Sequence, residues 1–336
     1  MEVVGNLDEK HIEDLLSGPI LIGEYVISMR SRNESLLENI QRLVEERDNV
    51  SMEAIPDEKN IRKTILSLNP ETAPGPDGFP GSFYVTAWEV IRLQVIDVVQ
   101  DFFHGGHLPR PVCTSKLVLI PETKDPTSVN QVRPICLCNF SYKILSIIVN
   151  RRLSRVLLWI ILEEQHGFIQ GRSIHGEIVT VKDMVDDINR RAMGSNIMIK
   201  VEMEKAYDRM EWDFLLMFMN IFGFRDCSCD LLFRCFASPW IFISLMDRSF
   251  GFFKTVRGLR LGDLVLPRLS ILTQDCLSRN VKCSMDRRII IPFNNISGTV
   301  MIYHLMFADD MLFFINGRKK SIEGFNNIMQ MYCWSG

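Results

Sequence analysis

Two adjacent aspartates, Asp309 and Asp310, stand between two apolar runs, Met301 to Phe307 and Met311 to Ile315, and this arrangement constrains the fold more than any other feature. Each run is long enough for a buried strand, and only Ala308-Asp309-Asp310 intervenes, so the stretch predicts a hairpin with two acids at its tip. Two like charges beside an apolar sheet are costly unless solvent or a cation compensates them. Alone, the pair reads as an ordinary solvated turn. A third carboxylate on a neighbouring strand changes the reading, because hard oxygen ligands from two strands suit a divalent ion. Glu202 is such a residue, near the end of the apolar, β-branched run Ile197 to Met203.

The chain has 336 residues, 47% hydrophobic and 24% charged, with a mean hydropathy of +0.07, so it can bury a core of roughly two domains' size. Such a composition excludes disorder and collagen. The longest uninterrupted apolar stretch, Val156 to Leu162, is far shorter than a bilayer span, and the N-terminus lacks the basic and apolar regions of a secretory signal. Neither a membrane span nor export is expected. Nine cysteines include CxC pairs at Cys136/Cys138 and Cys227/Cys229 but no zinc spacing, which predicts reduced thiols that mostly fill the core. Residues 1–70 hold 8 Lys and Arg against 14 Asp and Glu, a balance of −6, leaving 30 against 27 in the remainder. That small positive excess is weak evidence for a phosphate-bearing partner.

Leu36, Leu37, Ile40, Leu43 and Val44 fall at helical spacing, predicting a helix over Glu34 to Arg47 that Asp48 and Asn49 stop. It belongs to an acidic segment, residues 1–55, expected to be separate and to act as a docked or linker helix. A second helix is predicted after Pro56, with Asp57 as its cap, Ile61, Ile65 and Leu68 on one face, and Asn69-Pro70 as its end. From Ala73 to Gly81 prolines and glycines are too dense for helix or strand, which leaves an ordered turn and a flexible linker both open. An apolar helix around Trp88 to Phe103, a strand Lys116 to Ile120 and a helix Tyr142 to Ile161 follow. Glu204 to Asp208 reads as a turn or helix start.

Six motifs then occur in one order: APGPDGF at Ala73 to Phe79, RPI and LCN within Arg133 to Asn139, QHGFIQGRSIH at Gln165 to His175, KAYDRMEWDFL at Lys205 to Leu215, RGLR and GD within Arg257 to Asp263, and FADD at Phe307 to Asp310. In this order and spacing, over roughly Pro56 to Gly336, the chain resembles the reverse transcriptase of plant LINE-type, non-LTR retrotransposons.

The resemblance implies an α+β, right-hand polymerase fold, with fingers over about 56–190 and a palm over about 191–336. Because the sequence ends soon after FADD, most of the thumb is expected to be missing, and a partner that could supply one is unknown. It further implies that Glu202, Asp309 and Asp310 hold two Mg²⁺ or Mn²⁺ ions for nucleotidyl transfer to a primer 3′-hydroxyl. Tyr207 matches an aromatic under the deoxyribose, Arg133 an arginine contacting the triphosphate, and Lys205 lies in the same nucleotide-binding set. Gly258, Gly262 and Asp263 match a loop against template and nascent pair, and Arg172 belongs to a motif near primer and template. The implied partners are an RNA template, a DNA primer and deoxynucleoside triphosphates, and the implied compartment is the nucleus.

Several positions depart from the family pattern. Glu202 stands where the family has Asp, which displaces the carboxylate by about 1.5 Å, and a misplacement of about 1 Å in a catalytic site costs on the order of 100-fold in rate. Glu122 stands where the family has a lysine expected to meet the triphosphate. Reversing a charge about 4 Å from a phosphate forfeits up to roughly 4 kcal/mol of attraction at an effective dielectric of about 20. Leu261, Leu264 and Leu266 replace Gln, Pro and Ser, and Thr72 replaces a lysine. Together these predict a partly degenerate enzyme of low or absent activity, or alternatively an inactive remnant that binds a hybrid through Arg133, Arg172 and Lys205.

Overall fold

The computed structural model describes residues 36–333, apart from 129–130, 174, 176–177, 180, 183, 185–195, 203–209, 246–247, 260–261, 264, 295–301 and 309. Helix α1 spans Glu46–Glu53, and α2 spans Glu58–Ser67. Asp57 caps α2 as its sequence predicts, its carboxylate accepting the Asn60 amide at 2.7 Å, a contact worth about 1 kcal/mol. After α3 (Gly81–Thr86) and α4 (Trp88–Phe103) come the short α5 (Arg110–Cys113) and the hairpin strands β1 (Thr114–Pro121) and β2 (Val132–Cys138). The long helix α6 covers Phe140–Ile160, strand β3 Asn196–Glu202, α7 Trp212–Phe222 and α8 Asp226–Ala237. Strands β4 (Trp240–Leu245) and β5 (Arg248–Phe253) precede α9 (Leu266–Asp286), and the hairpin β6 (His304–Phe307) and β7 (Asp310–Asn316) leads into α10 (Lys319–Cys333).

These elements form a mixed α/β fold with two sheets. One has the order β2-β1-β4-β5, with β1 and β4 parallel and the other neighbours antiparallel; the second is the antiparallel trio β3-β7-β6. Helix α9 is the centre of the core, burying Leu269, Ile271, Leu272, Cys276, Leu277 and Val281. Strand β7 turns Met311, Phe313 and Ile315 into the same main cluster, while Phe314 joins a smaller one with Met184, Phe293 and Ile302. Cysteines 113, 136, 138, 229, 235 and 276 are buried and unbridged, as core filler should be. No helix among the described residues is long and apolar enough to cross a membrane.

Of the helix predicted over residues 34–47, Leu36 and Leu37 are helical among the described residues, and 38–45 are not. Leu36, Leu37, Ile40 and Val44 are buried, but the amides of Leu43 and Val44 donate to Phe222 O at 2.9 Å, and α1 begins at Glu46. Asp48 and Asn49, expected to stop a helix, lie inside α1. Asn49 is buried there and ties α1 to the α7–α8 corner, donating to Gly223 O at 2.9 Å and accepting from the Arg225 amide at 2.9 Å. Tertiary hydrogen bonds have thus overridden local periodicity, and residues 36–53 pack into the main core. The Ala73 to Gly81 stretch resolves as an ordered turn. Its Asp77 amide donates to Asn139 Oδ1 at 3.1 Å and Lys143 donates to Ala73 O at 2.9 Å, docking it on the start of α6.

Candidate active site

The hairpin of β6 and β7 leaves two residues, 308 and 309, between paired Phe307 and Asp310. Ala308 adopts φ 54°, the left-handed conformation a tight two-residue turn demands. Asp310 opens β7 and is exposed, whereas Met311, its neighbour on the opposite face, is fully buried against the core. The strand alternation therefore delivers the acid outward because the next residue is anchored inward.

Strand β3 lies beside β7, and their register sets Glu202 directly opposite Asp310. Cross-strand partners have Cα atoms about 4.5–5.5 Å apart. Two carboxylate-bearing positions therefore meet at one open sheet end. Lys200, two residues earlier on β3, brings its Nζ to 3.4 Å from Asp310 Oδ1, and Phe307 flanks the acid from β6, also exposed. Period-two alternation from Glu202 is the sequence signal that puts Lys200 on the same face.

Asp309, Tyr207 and Lys205 lie outside the described residues, as does the Glu202 side chain. Among the described residues no group of three Cys, His, Asp or Glu stands ready for a metal. The exposed Asp310 carboxylate is a hard oxygen donor of the kind a divalent ion takes, and its charge is met here by the Lys200 ammonium, which such an ion would have to displace.

The turn is supported from behind by the QHGF motif. Met306 N donates to Glu164 O and His166 N to Met306 O, both at 2.9 Å. At Gly167 a Cβ would fall 2.3 Å from Ala308 N, so only glycine lets this segment lie against the hairpin turn. Gln165 fixes the segment, accepting the Gly167 amide at 2.9 Å and donating to Gln274 of α9 at 3.0 Å. At the start of β6, buried His304 bonds Ser278 through Nε2 and stacks on Phe313. Burial pushes its pKa down to about 4, with Lys282 lowering and Glu164 raising it.

Arg172 turns inward. Its guanidinium donates to the carbonyls of Ile161, Leu162 and Gln165, holding the corner that follows α6, and burial lowers its pKa despite nearby Glu163, Asp275 and Glu164. Asp263 is buried too, with Oδ1 accepting from Ser146 at 2.6 Å and Oδ2 lying 2.5 Å from the Tyr142 hydroxyl. Gly262 has φ 105°, and a Cβ there would fall 2.7 Å from Cys136 O. These residues clamp the RGLR-to-GD loop onto β2 and α6. Gly258 joins it to the start of α7, donating to Met210 O and accepting from Trp212 Nε1, both at 2.8 Å.

Arg133 sits on the other sheet, exposed on β2. Its Nε donates to Glu122 Oε1 at 2.9 Å, since the hairpin register brings the end of β1 beside it. Glu122, expected from the resemblance to stand in place of a lysine, thus forms an exposed ion pair with the arginine expected at the triphosphate.

A 160-residue stretch, 47% of the chain, is 27% identical to the "Transposon TX1 uncharacterized 149 kDa protein" of Xenopus laevis. It spans only 12% of that protein's length. Residues 120–336 match the model for reverse transcriptase (RNA-dependent DNA polymerase), well over half of the chain. The chain belongs to the reverse transcriptase (RNA-dependent DNA polymerase) family.

Proposed function

We propose that this chain is the RNA-directed DNA polymerase domain of a LINE-type, non-LTR element, built as fingers and palm of a right hand, with low or lost activity. The observation that carries the reading is the register that sets Glu202 opposite Asp310, the residue that follows Asp309 in sequence. Similarity to a transposon protein supports the element class.

In this reading Asp310, Asp309 and Glu202 bind two Mg²⁺ or Mn²⁺ ions, which supply charge stabilisation for the attacking primer oxygen and the leaving pyrophosphate. Lys200 offsets the carboxylate charge before nucleotide arrives. Phe307 and Tyr207 line the position of the base-paired primer end and the sugar, and Lys205 and Arg133 face phosphate. Gly258, Gly262 and Asp263 serve template and primer by shaping the loop, and Arg172 by fixing the corner behind the turn. RNA template, DNA primer and deoxynucleoside triphosphates are the partners, and the nucleus is the place of action.

A second reading, an inactive remnant that retains hybrid binding, is favoured by the Glu122–Arg133 pair, which removes a free cation from the nucleotide side. Primer extension on an RNA template separates the two. The natural chain is compared with Glu202→Asp, with Glu202→Asp plus Glu122→Lys, and with Asp309→Asn as blank. Activity in the repaired variants supports the polymerase reading and places the lesion at these positions. Silence from all of them in folded protein that still retains hybrid favours the remnant.

A further inference from the structure

Helix α6 carries a stripe that the polymerase site does not use. Arg151, Arg155 and Trp159 follow one another at four-residue spacing, so they lie along one helix face, and all three are exposed. Trp159 is 79% exposed, more than any other aromatic among the described residues, the next being Phe168 and Phe252 at 50%. A solvated indole on a helix that buries twelve other residues has no packing role to explain it.

Arg151 on this face is held in place by hydroxyls rather than by an acid. Arg151 reaches across to α2, where it donates to Thr64 Oγ1 at 3.3 Å and to the Ser67 hydroxyl. Lys63, beside Thr64, is exposed, and neither Lys63 nor Arg155 makes an ion pair among the described residues. Arg152, one step round the helix, stacks on Phe103 and donates to Met52 O at 2.9 Å. Burial brings its pKa down to about 10, and the charge of Arg155 adds to the effect. Like charges near enough to act on one another, as Arg155 does on Arg152, are stabilised by an external polyanion.

We infer that the face formed by Lys63, Arg151, Arg155 and Trp159 binds single-stranded nucleic acid, the cations contacting phosphates and Trp159 stacking on an unpaired base. Charge supplies affinity without sequence preference, and an exposed indole suits a base whose faces are open, which a duplex does not offer. The path of the chain also fits: Gln165, six residues after Trp159, bridges Met306 of β6. Six residues span at most about 20 Å. One strand could therefore leave the open sheet end at Asp310 and continue along α6.

The test is fluorescence anisotropy of a labelled 20-nucleotide oligouridine titrated with the whole chain at several salt concentrations, for the natural protein, Arg155→Gln and Trp159→Ala. Both side chains are exposed, and thermal melting checks that each variant stays folded. Trp159→Ala is expected to weaken binding about five-fold or more, the loss of one stacked base. Arg155→Gln is expected to reduce the slope of log affinity against log salt by about 0.7, the loss of one single-strand phosphate contact. A blunt duplex of equal length should bind with no dependence on Trp159. Natural-like binding by both variants overturns the inference, as does absence of oligouridine binding by the natural chain. Competition by polyglutamate as effective as by oligouridine, with Trp159→Ala unaffected, also overturns it in favour of an acidic protein partner. Primer extension by the same proteins reports separately on the polymerase reading, whose failure would leave strand binding by this face unchanged.

Discussion

Glu202 and Asp310 are direct cross-strand partners, the one closing β3 and the other opening β7, so two carboxylate-bearing positions 108 residues apart in sequence meet at one sheet end. Lys200 completes this end, because residues two apart on β3 share a face and its ammonium lies 3.4 Å from Asp310 Oδ1. A cation in contact with a metal-ligand candidate competes with the metal.

Replacing Lys200 by Met should therefore tighten binding of divalent ions. Both partners are more than half exposed, which limits the pair to about 0.2–1 kcal/mol, so the gain is roughly 1.4- to five-fold. Mn²⁺ titration followed by electron paramagnetic resonance measures it, with Asp310→Asn as the variant that loses the site. Equal or weaker Mn²⁺ binding by the Lys200→Met protein would show that the lysine does not compete.

On the other sheet, Glu122 holds Arg133 in an exposed ion pair. Surface pairs contribute little to folding, so Glu122→Gln should leave thermal stability within about 1 kcal/mol of the natural chain. Its effect on nucleotide binding should be larger. Each unit charge about 4 Å from a phosphate is worth about 1 kcal/mol in water, close to five-fold in affinity. Deoxynucleoside triphosphate affinity should rise in the order natural, Glu122→Gln, Glu122→Lys, as measured by equilibrium dialysis; a flat series would remove Arg133 from the nucleotide side.

Much of this framework was legible in the sequence, and the exceptions share a cause. The cap at Asp57, the apolar helix from Trp88, the strand ending at Glu202 and the acidic hairpin all rest on local patterns, and each element lies within a residue or a few of its expected limits. What local patterns could not carry was partner choice. Leu36 to Val44 have helical spacing, but the helix stops after Leu37 and the amides of Leu43 and Val44 pair with Phe222 O, and Arg172, an ordinary cation by sequence, spends its donors on three carbonyls of its own chain. Asp263 likewise reads as a polar loop residue until Tyr142 and Ser146 close on it. The opposition of Glu202 and Asp310 is a register, and register follows from how both strands bury their other faces.

Gly167 offers a test of the support behind the turn. A methyl group there would overlap the Ala308 backbone at 2.3 Å, and neither segment is free to retreat, since Gln165 is bonded to Gln274 and Ala308 lies in a two-residue turn. Gly167→Ala should cost about 1–3 kcal/mol, the usual range for overpacking, and lower the melting temperature. Because the displaced atoms adjoin position 309, metal binding should weaken in protein that remains folded. An unchanged melting temperature would mean that the contact is looser than it stands here.

Acid sensitivity should trace to His304. Its ring is buried at the start of β6, bonded to Ser278 and stacked on Phe313, and burial holds its pKa near 4 against about 6.5 in an unfolded chain. Above about pH 6.5 the imidazole is neutral in both states and contributes no slope. As pH falls from about 6.5 toward about 4, the unfolded chain takes up a proton that the folded one refuses, so stability is lost over that window. By pH 4.5 the loss is roughly 2–3 kcal/mol at about 1.4 kcal/mol per unit. Asp275 works in the opposite direction, because burial raises its pKa and the folded state then gains stability as pH drops, although Arg279 opposes the shift. Comparing melting temperatures of the natural chain and His304→Gln from pH 7.5 to 4.5 cancels that contribution, since both proteins retain Asp275. The glutamine keeps a hydrogen-bonding group near Ser278 and cannot titrate, so the variant should start lower at pH 7.5 and lose less on acidification. Parallel slopes in the two proteins would assign acid sensitivity to other groups.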